Sequence, residues 1–282
     1  MSLPTVTTTL LKGSDAPARV LCVGAGLGTG VQALWAECAA LMPADTLVIG
    51  WDLPGHGASR PHDEATTVAD LADAVVKGLD QLADAGQIPS DIPVHCAGVS
   101  LSGAVALQLA LEHADRLASS AVICSAAKIG EPQAWRERAE LVEKAGTPTM
   151  VVGSAQRWFA EGFIERHPER TTGLLHTLQD ADRHSYARMC EALAAFDVRD
   201  RLGELTLPVL TIHGEQDAVT PPAAGEEIAV GAPAGVVRTR ALAEVAHQAP
   251  LEAPEQVASA LVETMDAAEQ AAGADAAAKE EK

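Results

Sequence analysis

Ser100 lies in the run His95-Cys96-Ala97-Gly98-Val99-Ser100-Leu101-Ser102-Gly103. An apolar stretch precedes it, and a helix-patterned segment, Ala104 to Leu111, follows. A strand, a very tight turn and a helix hold a serine in a strained conformation with its hydroxyl pushed out of the sheet, and small residues at Gly98 and Ser102 let the helix start close to the strand. The usual spelling of such a turn is G-x-S-x-G; this chain has Ser102 in the fifth place, followed at once by Gly103. A nucleophilic serine needs a base, and the base needs an acid to orient it. Both occur downstream. Leu207 to Asp217 reads as a buried strand and then a turn bearing an acid, and Val245 to Pro250 places His247 in a loop ahead of a helix pattern. The order serine, acid, histidine is one of the arrangements that builds an acyl-transfer triad, here Ser100, Asp217 and His247. As the residue after the nucleophile, Leu101 offers a backbone N–H to an oxyanion at the start of a helix whose dipole favours negative charge.

These residues need elements that bring them together. Apolar, β-branched runs at Arg19–Val23, Thr46–Asp52, Val94–Gly98, Ser119–Cys124, Pro208–His213 and Val236–Arg240 predict strands. Helical periodicity covers Val31–Leu41, Thr67–Ala85, Leu101–His113 and Pro254–Met265. Such alternation implies an α/β fold with a mostly parallel, doubly wound sheet. The strand pattern vanishes between Ile129 and Leu205, where helical patterns are broken by glycine and proline. The expected organisation is a core of residues 1–128 and 206–265, an inserted helical cap at 129–205, and an Ala/Glu-rich tail at 266–282 that is frayed or disordered. Met1 to Leu11 reads as a first strand and not as a signal peptide, because it lacks a basic start.

Composition narrows the partners. The chain has 282 residues and a formal charge of −19, which argues against nucleic acid. It has no apolar run long enough to cross a bilayer. Five scattered cysteines without C-x-x-C spacing suit reduced thiols in a cytoplasmic protein. Nine histidines include no H-E-x-x-H or similar spacing, so neither a metal nor another cofactor is expected. His56 and His213 read as structural. The charge is uneven: Lys128 to Arg201 holds eleven of the twenty basic residues and twelve of the thirty-nine acidic ones. The insertion is thus close to neutral on a very acidic chain, which would ease the entry of an anion.

The stretches Gly26-Leu27-Gly28-Thr29, Gly50 to Ser59, the serine turn, Ala126-Ala127-Lys128-Ile129-Gly130 with Trp135, Arg157-Trp158-Phe159 and Ala246 to Pro250 together resemble the 3-oxoadipate enol-lactone hydrolases of the α/β-hydrolase superfamily. These act in the protocatechuate branch of aromatic degradation. The resemblance spans about residues 20 to 260. It implies an α/β-hydrolase fold with the cap after the sixth strand of the usual eight, and hydrolysis of a small anionic lactone through an acyl-enzyme. By analogy, Leu27 supplies the second oxyanion N–H. A substrate carboxylate would be held by Lys128, Arg138 or Arg157 between the walls Trp135 and Trp158. Two departures stand out. Ala25-Gly26-Leu27 replaces the family's common Asn-Ser-Leu, and Ser102 replaces glycine. A broader carboxylesterase or a cofactor-free perhydrolase would use the same triad; a non-catalytic binding protein on this fold would be expected to lack a triad member. The sequence carries no reading of the oligomeric state.

Overall fold

The computed structural model of the protein describes residues 3–280. Seven strands form one sheet: β1 (Thr7–Lys12), β2 (Arg19–Gly24), β3 (Thr46–Asp52), β4 (Val94–Val99), β5 (Ser119–Ile123), β6 (Val209–Gly214) and β7 (Val237–Leu242). Their order is β1-β3-β2-β4-β5-β6-β7. Only β1, paired with β3, is antiparallel; the other neighbours are parallel. The central strands are buried along nearly their whole length, which explains their continuous apolar runs. All six strands expected within the body of the chain are present. The N-terminal stretch supplies one strand, β1, with Met1 and Ser2 outside the described residues, so the sheet has seven strands and the insertion follows the fifth.

Around the sheet lie α1 (Val31–Ala40), α2 (Val68–Asp84) and α3 (Leu101–Glu112). α2 buries Val68, Leu71, Ala72, Val75 and Leu79, a stripe at helical spacing, and begins in a capping box in which Thr67 and Asp70 exchange hydrogen bonds. Between β5 and β6 the chain forms α4 (Pro132–Ala145), α5 (Val151–Trp158), α6 (Phe163–Arg166), α7 (Pro168–Asp180) and α8 (Arg183–Ala195), with no strand. α9 (Ala223–Gly231), α10 (Ala249–Glu252) and α11 (Pro254–Glu280) complete the described chain.

α11 does not stop at Met265, and the first part of the tail is packed. Ala268 is buried, Asp266 accepts from Arg19 at 2.6 Å, and Glu269 meets His95 Nε2 at 3.0 Å. The Ala/Glu composition hid this contact, because its anchors are polar groups on β2 and β4, not an apolar face. Glu281 and Lys282 lie outside the described residues. All five cysteines are free and buried. Among the described residues, no helix is long and apolar enough to cross a membrane.

Candidate active site

The parallel strands β2 and β4 lie side by side, with Gly24 opposite Gly98. Their carboxyl ends therefore bring the loop containing Leu27 against the turn containing Ser100, at the edge where open α/β sheets bind ligands. Ser100 has φ 57° and ψ −118°, one of three non-glycine residues with positive φ among the described residues. Such a backbone costs about 1–3 kcal/mol and persists only where its surroundings impose it. Here the Ser100 N–H donates to Ile123 O at 2.9 Å, and Ser125 Oγ donates to Ser100 O at 2.7 Å. A Cβ at Gly98 would overlap the Ser102 carbonyl group, so glycine lets α3 begin directly behind the turn. Ser102, at the position usually held by glycine, is fully buried and donates its hydroxyl to Ala25 O.

Asp217 follows β6, and His247 lies in the loop after β7. Asp217 Oδ2 is 2.8 Å from His247 Nδ1. The same carboxylate accepts from the Val219 N–H at 2.7 Å, the Thr220 N–H at 3.0 Å and Thr220 Oγ1 at 2.9 Å. Burial alone would raise the Asp217 pKa, but the imidazole and these donors outweigh it and hold the carboxyl below its usual range. Asp217 and His247 are both buried. With Nδ1 engaged by Asp217, Nε2 is the ring nitrogen that the acid leaves free. Ser100 and His247 line one cavity of about 210 Å³, and no hydrogen bond joins them among the described residues. Leu27 borders the same cavity. Among the described residues the Leu27 N–H has no acceptor, and the Leu101 N–H, at the first turn of α3, has none within its helix.

α4, α5 and α8 also contribute to the lining of this cavity. Trp135, Arg138, Arg157 and Trp158 all line the cavity, as does Tyr186, which the sequence reading missed. Tyr186 is the only tyrosine of the chain, buried and stacked on His56 at 6.0 Å. Its place in an ordinary helical pattern concealed it. The Arg138 guanidinium lies 4.6 Å from the centroid of the Trp135 ring and within interaction range of the Tyr186 phenol. Burial and the neighbouring Arg138 charge both push the Arg157 pKa down. Among the described residues neither arginine forms an ion pair with a carboxylate, whereas Arg19, Arg116, Arg170, Arg188, Arg199, Arg201 and Arg240 each do. Two mutually repelling cations thus line the cavity together with Trp135, Trp158, Tyr186 and one carboxylate, Glu131.

Lys128 does not line the cavity, unlike the other expected anchors; its ammonium is 3.1 Å from Oε1 of Glu131, which does. Its i,i+3 carboxylate neutralises it locally, before any substrate could. His56 bonds Pro54 O through Nδ1 at 2.8 Å, and burial pushes its pKa down to about 4. His213 sits under the acid loop, 3.3 Å from Thr220 O. One buried group, Cys124, Asp217 and His247, brings potential metal-binding atoms within 4.8 Å of one another. Two of its members already hold each other, and burial keeps the Cys124 thiol protonated by raising its pKa.

Comparison with known proteins matches the alpha/beta hydrolase family over residues 20–260. The chain is 38% identical to 3-oxoadipate enol-lactonase 2 of Acinetobacter baylyi over 213 residues, 76% of each protein. It is 34% identical to 3-oxoadipate enol-lactonase 1 of the same organism, over 75% of this chain and 76% of that one. The crystal structure of the enol-lactonase from Burkholderia xenovorans LB400 superposes with a TM-score of 0.83 at 26% identity, covering 93% of this chain and 96% of the other.

Proposed function

From the premise that this chain belongs to the alpha/beta hydrolase family, as an enzyme of the enol-lactonase branch that hydrolyses ester or lactone bonds, we propose that its substrate is 3-oxoadipate enol-lactone and its product 3-oxoadipate. The observation that carries this reading is that one cavity is lined both by Ser100 and His247 and by Arg138 and Arg157, two cations without an ion-pair partner among the described residues. A lactone bearing one carboxylate would present its carbonyl to the first and its anion to the second. A guanidinium can grip a carboxylate through two parallel hydrogen bonds. The aromatic wall of Trp135 and Trp158 suits the flat ring between them.

In this mechanism Ser100 Oγ attacks the lactone carbonyl as His247 Nε2 removes its proton. The oxyanion is met by the N–H groups of Leu27 and Leu101, each worth roughly 3 kcal/mol in comparable sites. Collapse of the tetrahedral intermediate breaks the ring C–O bond. The leaving group is an enolate, which takes from His247 the proton that came from Ser100 and ends as the ketone; it is a better leaving group than an alkoxide, so this step demands less acid assistance. The open acyl-enzyme is then hydrolysed by a water that His247 deprotonates, and Ser100 regains its proton. Asp217 holds the imidazole tautomer and stabilises its cationic form throughout.

The test is a paired assay of the enol-lactone and a neutral p-nitrophenyl ester. Expected is a kcat/KM for the lactone well above that for the ester, with 3-oxoadipate formed in equal amount to lactone consumed. Efficient ester cleavage with no lactone turnover would overturn the substrate assignment in favour of a general carboxylesterase.

A further inference from the structure

The segment that joins α5 to α6 touches both loops carrying the Asp217–His247 pair. The Trp158 carbonyl accepts the His247 N–H at 3.1 Å. The Ala160 N–H donates to Glu252 Oε2 at 2.7 Å. The Glu161 N–H donates to Gln216 Oε1 at 2.9 Å, and Gln216 immediately precedes Asp217. The second oxygen of Glu252, Oε1, accepts from the Ala246 N–H at 3.2 Å and the Gln248 N–H at 3.0 Å, the residues on either side of His247. One carboxylate therefore grips the peptide around His247 with one oxygen and the inserted helical segment with the other.

Glu252 has no ion-pair partner among the described residues. A carboxylate taken out of water without a cation is costly, and an apolar side chain could fill the space without that cost. What an apolar residue could not provide is two acceptor atoms at a fixed spacing, aimed at three backbone N–H groups. Trp158, at the head of the same segment, also lines the cavity. A ligand pressed against Trp158 is thus one hydrogen bond, Trp158 O to the His247 N–H, from the backbone that carries the imidazole.

We propose that Glu252 is a positioning residue of the hydrolysis, fixing His247 relative to the inserted segment Trp158–Glu161, while Gln216 does the same for the Asp217 loop. Substrate seated against Trp158 then sets His247 in register with Ser100. This inference rests on the Ser100–His247–Asp217 reading above.

Glu252→Gln keeps the size but has one acceptor oxygen; its amide NH2 must face a backbone N–H, so one of the two grips is lost. Misplacing a reacting group by about 1 Å costs on the order of a hundredfold. Expected for E252Q is a kcat on the lactone lower by about ten- to a hundredfold with KM within about threefold. The downfield proton NMR resonance of His247 Nδ1–H, shared with Asp217, should shift or broaden. A second variant, Ala160→Pro, deletes only the N–H on the inserted segment. The preceding Phe159 already has φ −117° and ψ 143°, a conformation favoured before proline. A160P should perturb the same resonance and lower kcat by a smaller factor, and it decides the question alone if E252Q does not fold. Wild-type kcat within twofold in the folded variants, or a lower kcat with an unmoved resonance, would overturn the proposal. A fluorophosphonate label on wild-type protein serves as the control. Label on Ser100 leaves the triad reading standing whichever way the variants behave, whereas label on another residue would remove that reading and this proposal together.

Discussion

Ser102 Oγ donates to the carbonyl oxygen of Ala25, across 77 residues of sequence. These are the two places where the sequence departs from the usual enol-lactonase pattern, and they touch. Ala25 opens the loop that carries Leu27, and Ser102 lies in the first turn of α3, behind Ser100. The extra hydroxyl of one departure bonds the backbone of the other. It ties the two proposed oxyanion donors, on separate elements, to each other.

Ser102→Ala should therefore loosen the Leu27 loop without removing any reacting group. A buried neutral hydrogen bond is worth about 1 kcal/mol, or roughly fivefold in rate if it is felt in the transition state. The expected result is a kcat lower by about three- to tenfold with KM nearly unchanged, read by steady-state kinetics on the lactone. Unchanged kcat would mean that the bond serves packing alone.

Ser100→Ala should abolish turnover, with a loss of at least about 10⁴-fold in kcat, because the residues of a triad act as a unit. Asp217→Asn should also cost several orders of magnitude by favouring the wrong imidazole tautomer. Circular dichroism should show both variants folded. Intact-protein mass spectrometry should detect an acyl adduct on the wild type and none on S100A.

Arg138→Ala and Arg157→Ala separate anion recognition from chemistry. A charge-assisted hydrogen bond is worth about 1.5–3 kcal/mol, so the residue that holds the carboxylate should cost about tenfold or more in kcat/KM on the lactone acid. A neutral ester leaves no carboxylate unpaired and should lose much less. Lys128→Ala removes no cation from the cavity lining, since Lys128 lies outside it and is paired with Glu131, and should cost much less than loss of the anchoring arginine. If both arginine variants stay within twofold on the lactone, neither anchors the substrate.

Stability should fall on acidification between about pH 6.5 and 4. Burial pushes the pKa values of His56 and His95 down to about 4 from an ordinary value of 6.5. Across that window the unfolded chain binds protons that the folded chain excludes, so each group makes unfolding easier as the pH drops. The slope is roughly 1 kcal/mol per pH unit for each histidine, and both contributions are fully present above pH 6.5. Denaturant titrations at a series of pH values should show this decline, with a shallower slope for His95→Gln. An equal slope in that variant would mean that His95 does not titrate differently in the two states.

The fold and the positions of the proposed reacting groups were legible in the sequence because the features that create them are local. A buried apolar run, a glycine that admits a helix start, and a turn that ends a strand are all settled within a few residues. This is why Ser100, Asp217 and His247 could be singled out in order, and why the six strands expected in the body of the chain are all present. The cavity wall was less legible. Arg138 and Lys128 are both cations in the same near-neutral segment, yet only Arg138 borders the cavity, because one sits on the inward side of α4 and the other is neutralised by a carboxylate three residues away.

What the sequence by itself determined is the chemistry available to this chain: a strained serine, then an acid, then a histidine, each at a strand end of a parallel sheet. The tertiary structure decided how those groups are held. The parallel pairing of β2 with β4 sets Leu27 beside Ser100, and Ser102 meets Ala25 only because α3 packs behind that pair. Tyr186 reaches the cavity through the packing of α8, and Glu252 joins Ala160 to the His247 loop over 92 residues of chain. Contacts at such separations depend on which elements become neighbours and which way their side chains point. No local pattern records that, because each partner is an ordinary residue until burial in the folded protein leaves it a single place to bond.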